Sequence, residues 1–277
     1  MLDTIPRMAR VKKIVNENEI VKSFVLDVTV GARPGQFVNI WIPRVDEKPF
    51  SVAFDDGKEL TIAIAAVGPF SKKMHTLKVG DKVGIRGPFG RAFKIEDRKR
   101  YAFLGGGYGA APLYFLAKLA EKSRIDFIVG ARSKNLLLYI DRIKKLKNVQ
   151  LHIATDDGSI GHKGYNTDIL WKILEEGKTD CVCTVGPEIM MYKAAMMAKE
   201  KKIDAQISME RYMKCGFGVC GNCVVDGSGV PTCVNGPVMD LAEVLKCEDF
   251  GKYHRNNLGK KINYHGTAGA ANTKKNE

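Results

Sequence analysis

The sequence predicts a multi-domain protein: an antiparallel β-barrel, then an α/β unit with a parallel sheet, then a small C-terminal unit built around cysteines. Three observations predict this order. Short alternating or β-branched runs, separated by Gly, Pro and Asp at intervals of roughly ten residues, fill the first third of the chain. Compact apolar runs then alternate with helical stretches. Four of the seven cysteines lie close together near the end.

The length supports a division into several units, because 277 residues exceed one typical hydrophobic core. We expect the barrel at 1–98, the α/β domain at 99–209 and the cysteine domain at 210–265. The last residues, 266–277, read "GTAGAANTKKNE" and are small and polar. We expect them to form a disordered tail.

Each predicted element has its own sequence pattern. The barrel strands are represented by runs such as "GQFVNIWIP" and "ELTIAIAAV", and the segment "FSKKMHTLKVGD" predicts a single helix that ends near Gly80. In the α/β unit, "YAFLGGG" and "IDFIVGA" are buried strands, and each is followed by a helical stretch. Strands that are apolar throughout, without alternating polar residues, indicate a parallel sheet with helices on both faces.

Composition excludes several classes of protein. The net charge is +13, but the lysines are scattered rather than gathered into a patch with stacking aromatics, so we expect a solvated surface and no nucleic acid. No apolar run reaches the length of a membrane span, and the first residues lack the apolar region of a secretory signal. We therefore expect a cytoplasmic protein with reduced thiols and no membrane association.

A glycine-rich turn, "LGGGYGAAP", directly follows the first α/β strand and precedes the first helix. Gly105, Gly107 and Ala110 fit the G-x-G-x-x-G/A pattern, in which a pyrophosphate approaches the free N–H groups of the helix start. We expect Gly105, Gly106, Gly107 and Gly109 to bind a nucleotide. The alternative is a purely structural turn.

A second turn, Gly186–Pro187 in "CVCTVGPEIMM", follows a later strand and begins another helix. Two such turns at one sheet edge favour a nucleotide crevice. The usual acidic ribose ligand is missing after the second strand, where Arg132, Ser133 and Lys134 stand instead. The choice between NADH and NADPH therefore stays open.

The β unit contains a second set of groups suited to a diphosphate. Lys48 and Ser51 lie at the start of a strand, and Gly68 and Ser71 lie at the start of the lone helix. A basic residue, a hydroxyl group and a helix N-terminus are what a diphosphate requires. The alternative is an ordinary strand start followed by an N-capped helix.

The four late cysteines have the spacing C-x4-C-x2-C-x9-C. Structural zinc usually needs a second C-x2-4-C knuckle, and a thioredoxin-type pair needs a different setting and leaves two cysteines unexplained. A disulfide knot is unexpected in the cytoplasm. The plant-type [2Fe–2S] spacing fits directly, and neighbouring glycines suit a tight loop around a cluster. The predicted ligands are Cys215, Cys220, Cys223 and Cys233.

No catalytic acid–base group stands out in the sequence. The five histidines are dispersed, so we assign no catalytic side chain. Cys181 and Cys183 alternate on a buried-looking strand and are interpreted as packing residues. Cys247 receives no role.

The chain resembles the ferredoxin–NADP reductase superfamily. In that family a barrel with an R-x-x-S strand and a G-x-x-S/T helix start precedes a nucleotide unit with GGG-x-G and C-G-P-x-x-M turns. The resemblance implies that the barrel holds FAD and that the α/β domain holds the nicotinamide nucleotide. Lys48 replaces the family's arginine, and Val185 replaces its usual cysteine. The flavin-binding residues that the resemblance implies are Lys48, Pro49, Phe50, Ser51, Ala63, Ile64, Ala65, Gly68, Phe70 and Ser71.

The complete order, with "MERYMKCGFGVCGNCVVD" and "CVNGPVMD", is similar to the electron-transfer subunits of NAD-dependent dihydroorotate dehydrogenase. This resemblance covers nearly the whole chain. It implies electron transfer between NAD(H), FAD and the cluster to an FMN-containing catalytic subunit, in a heterotetramer of two copies each that serves pyrimidine (UMP) biosynthesis.

Two alternatives stay open. One is a subunit of a sulfhydrogenase or of an NADH-dependent reduced ferredoxin–NADP oxidoreductase, which shares the same motifs. The other is a zinc-bearing binding module without redox activity. Iron, sulfide and zinc analysis distinguishes the second alternative from the first.

Overall fold

The structure is a computed structural model that describes residues 5–256 and 258–264. The predicted tail at 266–277 lies outside the described residues. None of the helices in the described part of the chain is long and apolar enough to cross a membrane.

Six antiparallel strands close into a barrel in the order β1-β2-β5-β4-β3-β6, with β6 pairing back to β1. Its centre is filled by fully buried side chains such as Phe24, Ile40 and Ile62, because alternate residues of each strand point inward. The antiparallel barrel predicted from the sequence is confirmed. Its strands are β1 (Arg7–Asn16), β2 (Val21–Leu26), β3 (Phe37–Ile42), β4 (Asp46–Asp55), β5 (Leu60–Ala65) and β6 (Lys82–Phe89).

One helix, α1 (Pro69–His75), interrupts the barrel strands. The prediction that it ends near Gly80 is wrong, because it ends at His75. The N–H of Gly80 donates to the carbonyl of Val11 at 2.8 Å. This bond draws the chain back to β1, so the residues after the helix form a turn instead of continuing it.

The second unit is the predicted α/β domain, and its sheet has the order β10-β9-β8-β7-β11-β12 with all strands parallel. Helices cover both faces: α2 packs on one face, and α4 and α5 pack on the other. Its elements are β7 (Arg100–Gly106), α2 (Ala110–Leu119), β8 (Arg124–Ala131), α3 (Ile140–Ile143), β9 (Val149–Thr155), β10 (His162–Lys163), α4 (Asn166–Glu175), β11 (Cys181–Val185), α5 (Glu188–Lys201) and β12 (Asp204–Ser208).

The cysteine-bearing segment is not an isolated unit. Its strand β13 pairs antiparallel with β12 and extends the α/β sheet by one strand. It also contacts the end of the barrel. The guanidinium of Arg91, two residues after β6, donates to the carboxylate of Glu243 at 2.7 Å, and the backbone N–H of Arg91 donates to the carbonyl of Gly236. The elements of this segment are α6 (Thr232–Asn235), β13 (Val238–Asp240), α7 (Leu241–Val244), β14 (Tyr253–Arg255) and β15 (Lys261–Asn263).

A buried ionic triad fixes this segment to the nucleotide domain. Arg211 contacts Glu188, the first residue of α5, at 2.5 Å, and Asp249 at 3.0 Å. The three side chains are at most 4% exposed. Buried charges persist in a protein only when they are paired, so the triad holds the start of the cysteine segment in one place.

Candidate functional site

A cavity of about 290 Å³ lies where the barrel, the nucleotide domain and the cysteine segment meet. Its barrel wall comes from β4 and β5, its nucleotide wall from the two glycine turns, and its third wall from the residues after β12. Seven residues predicted from the sequence line it: Pro49, Phe50, Ser51, Ala63, Ala65, Gly109 and Gly186.

Strand alternation decides which residues of β5 reach the cavity. Ala63 and Ala65 face it, whereas Ile64 is fully buried in the barrel core. The small alanine side chains leave room for a flat ring to approach the backbone. Ile64 can contact a ligand there only through its backbone.

The other residues predicted to bind flavin lie away from this cavity. Lys48 forms an ion pair with Asp46 at 2.6 Å. Phe70 stacks on Phe50, with 5.8 Å between ring centroids. Ser71 accepts the N–H of Gly68 at 2.9 Å and thereby caps α1. The roles of Lys48, Gly68, Phe70 and Ser71 in flavin binding therefore stay predictions.

The two glycine turns are in direct backbone contact, because β7 and β11 are neighbouring parallel strands. A Cβ atom on Gly109 would lie 2.2 Å from the carbonyl oxygen of Val185, and one on Gly106 would lie 2.6 Å from Pro187. No side chain fits at either position. Glycine here allows both turns to reach the same crevice, at the carboxyl ends of the strands where ligands bind in such sheets.

Several residues of the cavity wall were not singled out from the sequence. They include Tyr108 in the first glycine turn and Met209, Glu210, Arg211 and Met213. The last four belong to "MERYMKC", which directly follows β12. Their position directly after a parallel strand could have identified them from the sequence, because residues beyond the carboxyl ends of such strands face the ligand.

The four predicted cysteine ligands are arranged as two neighbouring pairs. The thiol of Cys215 contacts that of Cys220, and Cys223 contacts Cys233, whose N–H donates to the Cys223 sulfur at 3.4 Å. Cys215 also lies close enough to Cys233 to interact with its charge. Cys223 and Cys233 are buried, and Cys220 is exposed.

The loop directs backbone N–H groups at these sulfurs. Burial raises the pKa of Cys215, but the N–H groups of Cys220 and Phe217 outweigh this effect and lower that pKa to about 6. Burial and the neighbouring Cys223 raise the pKa of Cys233 to about 12. A thiolate is the form that binds metal, and N–H groups aimed at sulfur tune an iron–sulfur cluster.

This donor set fits a [2Fe–2S] cluster, since two thiolates can serve each of two irons. Gly216, Gly218 and Gly221 have φ values of +90°, +86° and +69°, which a side-chain-bearing residue rarely adopts, and they turn the loop around the sulfurs. Among residues 5–256 and 258–264, no three His, Cys, Asp or Glu side chains converge on one point that could hold a single metal ion.

The cavity and the buried cysteine pair share a wall. Phe37 and Met213 line the cavity. The same two side chains pack in one hydrophobic group with Cys223 and Cys233. Phe37 and Met213 therefore border the cavity and also belong to the hydrophobic group that contains the inner cysteines.

Arg86 on β6 connects the barrel to the cysteine loop. Its guanidinium pairs with Glu47 through bonds of 2.5 and 2.6 Å and donates to the carbonyl of Cys215 at 3.3 Å. It lies 5.8 Å from the ring centroids of both Phe89 and Phe217. The side chain is only 10% exposed, so these contacts position the first cysteine of the loop.

Replacing Arg86 should loosen this loop. We expect Arg86→Met to lower the free energy of unfolding by about 2 kcal/mol, because a charge-assisted hydrogen-bond pair and two ring contacts are lost. We also expect faster loss of iron in air, measured by iron release over time. Arg100→Met, which removes a partly buried ion-paired arginine from the parallel sheet, is the control. Equal iron loss from both variants contradicts the positioning role.

Sequence comparison finds similarity over nearly the whole chain. Residues 210–245 match the family described as the iron–sulfur cluster binding domain of dihydroorotate dehydrogenase B. The chain is 45% identical, over 94% of its length and 99% of the relative's, to a probable dihydroorotate dehydrogenase B (NAD(+)) electron transfer subunit of Methanocaldococcus jannaschii. It is 40% identical, over 93% and 97%, to the protein of the same description from Methanothermobacter thermautotrophicus.

Structure comparison finds a similar fold in an NADH-dependent reduced ferredoxin–NADP oxidoreductase. The TM-score is 0.77 at 32% identity, covering 88% of this chain and 93% of the other. The similarity thus includes the cysteine segment as well as the barrel and the sheet.

Proposed function

Because the chain belongs to the family of dihydroorotate dehydrogenase B electron transfer subunits, we propose that it carries electrons between NAD(H) and a dihydroorotate-oxidising partner in pyrimidine biosynthesis. Its cofactors are FAD, NAD(H) and a [2Fe–2S] cluster. When bound, FAD would exchange a hydride with the nicotinamide and single electrons with the cluster. The protein supplies placement, and no side chain is assigned as a catalyst.

The observation that carries this proposal is the wall shared by the cavity and the buried cysteines. Pro49, Phe50 and Ser51, with Ala63 and Ala65, form the face on which we place the flavin ring. The glycine turns at 105–109 and 186–187 face it and would hold the nucleotide. Phe37 and Met213 line this cavity and pack in the same hydrophobic group as two of the predicted cluster ligands, Cys223 and Cys233.

The outer edge of the cysteine loop suits a redox partner. Cys220 is exposed, and the neighbouring Val219 is 77% exposed, so this edge of the cluster reaches the surface beside an apolar side chain. We place the catalytic subunit here. We propose that it carries FMN, that two copies of each subunit form a heterotetramer, and that the complex is cytoplasmic.

Reconstitution tests this function. The purified protein, loaded with FAD, iron and sulfide, is mixed with an FMN-containing dihydroorotate dehydrogenase subunit. The expected result is dihydroorotate-dependent reduction of NAD+, followed at the NADH absorption band, and a complex of two plus two subunits in light scattering. The proposal fails if the loaded protein binds the subunit but transfers no electrons to NAD+.

A second candidate is the electron-transfer subunit of an NADH-dependent reduced ferredoxin–NADP oxidoreductase, favoured by the similarity to that solved structure. Reduction of NADP+ at the expense of NADH and reduced ferredoxin, in place of dihydroorotate oxidation, would identify it. A sulfhydrogenase subunit would instead purify with a nickel protein. One zinc and no acid-labile sulfide would identify the non-redox binding module. The match to an iron–sulfur cluster binding domain argues against that module.

A further inference from the structure

The cavity wall carries one carboxylate to which the proposed function gives no task. Glu210 follows β12, and its accessible side chain lines the cavity. Within 5–256 and 258–264, its carboxylate has no hydrogen bond or ion pair, whereas the neighbouring Arg211 is fully engaged with Glu188 and Asp249. A charged group that faces a ligand cavity without a protein partner is available to a ligand.

Glu210 lines the same cavity as Tyr108 and Gly109 of the first glycine turn and Gly186 of the second. Its charge, followed by burial, raises the pKa of Tyr108 to about 12. Glu188 also lies close enough to Glu210 for the two charges to interact. Glu188 directly follows the Gly186–Pro187 turn. Both turns that would hold the nucleotide therefore lie beside this carboxylate.

The surroundings of Glu210 are net negative. Behind the cavity wall, Arg211 is the guanidinium of the buried triad and is paired with two carboxylates, Glu188 and Asp249, so that Glu210 adds a further negative charge. A cation in this part of the cavity is therefore favoured over a neutral group of the same shape.

We propose that Glu210 distinguishes the two redox states of the nicotinamide by stabilising the positively charged ring of NAD+. This inference rests on the proposed function, since it takes the cavity to be the nicotinamide site. NAD+ and NADH share their ribose and pyrophosphate groups and differ in the charge of the nicotinamide ring. A site prefers one of two ligands only through interactions that differ between them. A carboxylate beside the nicotinamide ring attracts the charged ring of NAD+ and not the neutral ring of NADH, so it strengthens the binding of NAD+ alone.

The test compares two nucleotides with matched shape and different charge. Dissociation constants of NAD+ and of tetrahydro-NAD, an unreactive analogue with a neutral ring, are measured on the FAD- and cluster-loaded protein. We expect Glu210→Gln to weaken NAD+ binding about tenfold. This is less than the full attraction between a carboxylate and a positively charged ring about 4 Å apart in a partly buried site. Binding of tetrahydro-NAD should change less than about twofold. Glu210→Asp should keep the preference for NAD+.

Glu248→Gln, which neutralises an exposed glutamate elsewhere on the same segment, is the matched control and should leave both constants unchanged. Equal weakening of both nucleotides, or no weakening of either, overturns the inference while the proposed function stands. A shift of the flavin absorption band in Glu210→Gln overturns it too, because the carboxylate would then face the flavin. If the wild-type protein binds neither nucleotide, the proposed function fails and this inference fails with it.

Discussion

Cys223→Ala is expected to abolish the [2Fe–2S] cluster and with it electron transfer to the partner subunit. Cys223 is 2% exposed and forms the inner pair with Cys233, so no water molecule or nearby side chain can readily replace its thiolate. Iron and sulfide analysis should fall to near zero. Bleaching of the flavin band by NADH should persist, because the cavity is lined by other residues.

Cys247→Ala provides the matched control for this experiment. Cys247 is also a buried free cysteine on the same segment, but it packs in the core of the nucleotide domain. The control variant should keep its full complement of iron and sulfide. A Cys223→Ala protein with two irons and two sulfides per chain would contradict the ligand assignment.

Arg211→Met is expected to destabilise the protein by about 3–5 kcal/mol, because it leaves Glu188 and Asp249 as buried carboxylates without a counter-charge. The loss should appear in denaturant unfolding as a lower midpoint. Since Arg211 also anchors the segment that leads to Cys215, electron transfer between flavin and cluster should slow in the fraction that remains folded.

Arg255→Met is the comparison for Arg211→Met. Arg255 pairs with Asp226, but its side chain is 38% exposed and Asp226 also contacts Tyr253. Removing such an exposed pair should cost far less stability than removing the counter-charge of two buried carboxylates. Similar destabilisation by both substitutions would mean that the triad contributes no more than a surface ion pair.

Most of the fold could be predicted from local patterns. The alternation in β5 and the compact apolar runs of β7 and β8 predict their strand types, because the side chains of a strand face opposite sides and a parallel strand is buried on both. The end of α1 could not be predicted, since it depends on a hydrogen bond between Gly80 and Val11, which are far apart in the sequence.

The candidate site was predictable only in part. The cysteine spacing and the glycine turns carry their chemistry in the sequence itself, because short loops dictate their own geometry. Arg86 belongs to no motif, and the stretch "MERYMKC" does not by itself show what Glu210 and Arg211 do. Each acquires its role from partners that the fold brings from distant segments: Tyr108 for Glu210, Cys215 for Arg86, and Glu188 with Asp249 for Arg211.

The sequence by itself determined the order of the barrel, the nucleotide sheet and the cysteine loop, because each follows from periodicity and spacing over a few residues. Only the tertiary structure decided that β13 joins the nucleotide sheet and that Phe37 and Met213 form a wall common to the cavity and the cysteines. The physical reason is that burial and charge pairing between units depend on surfaces assembled from separate segments of the chain, such as those that contain Phe37 and Met213.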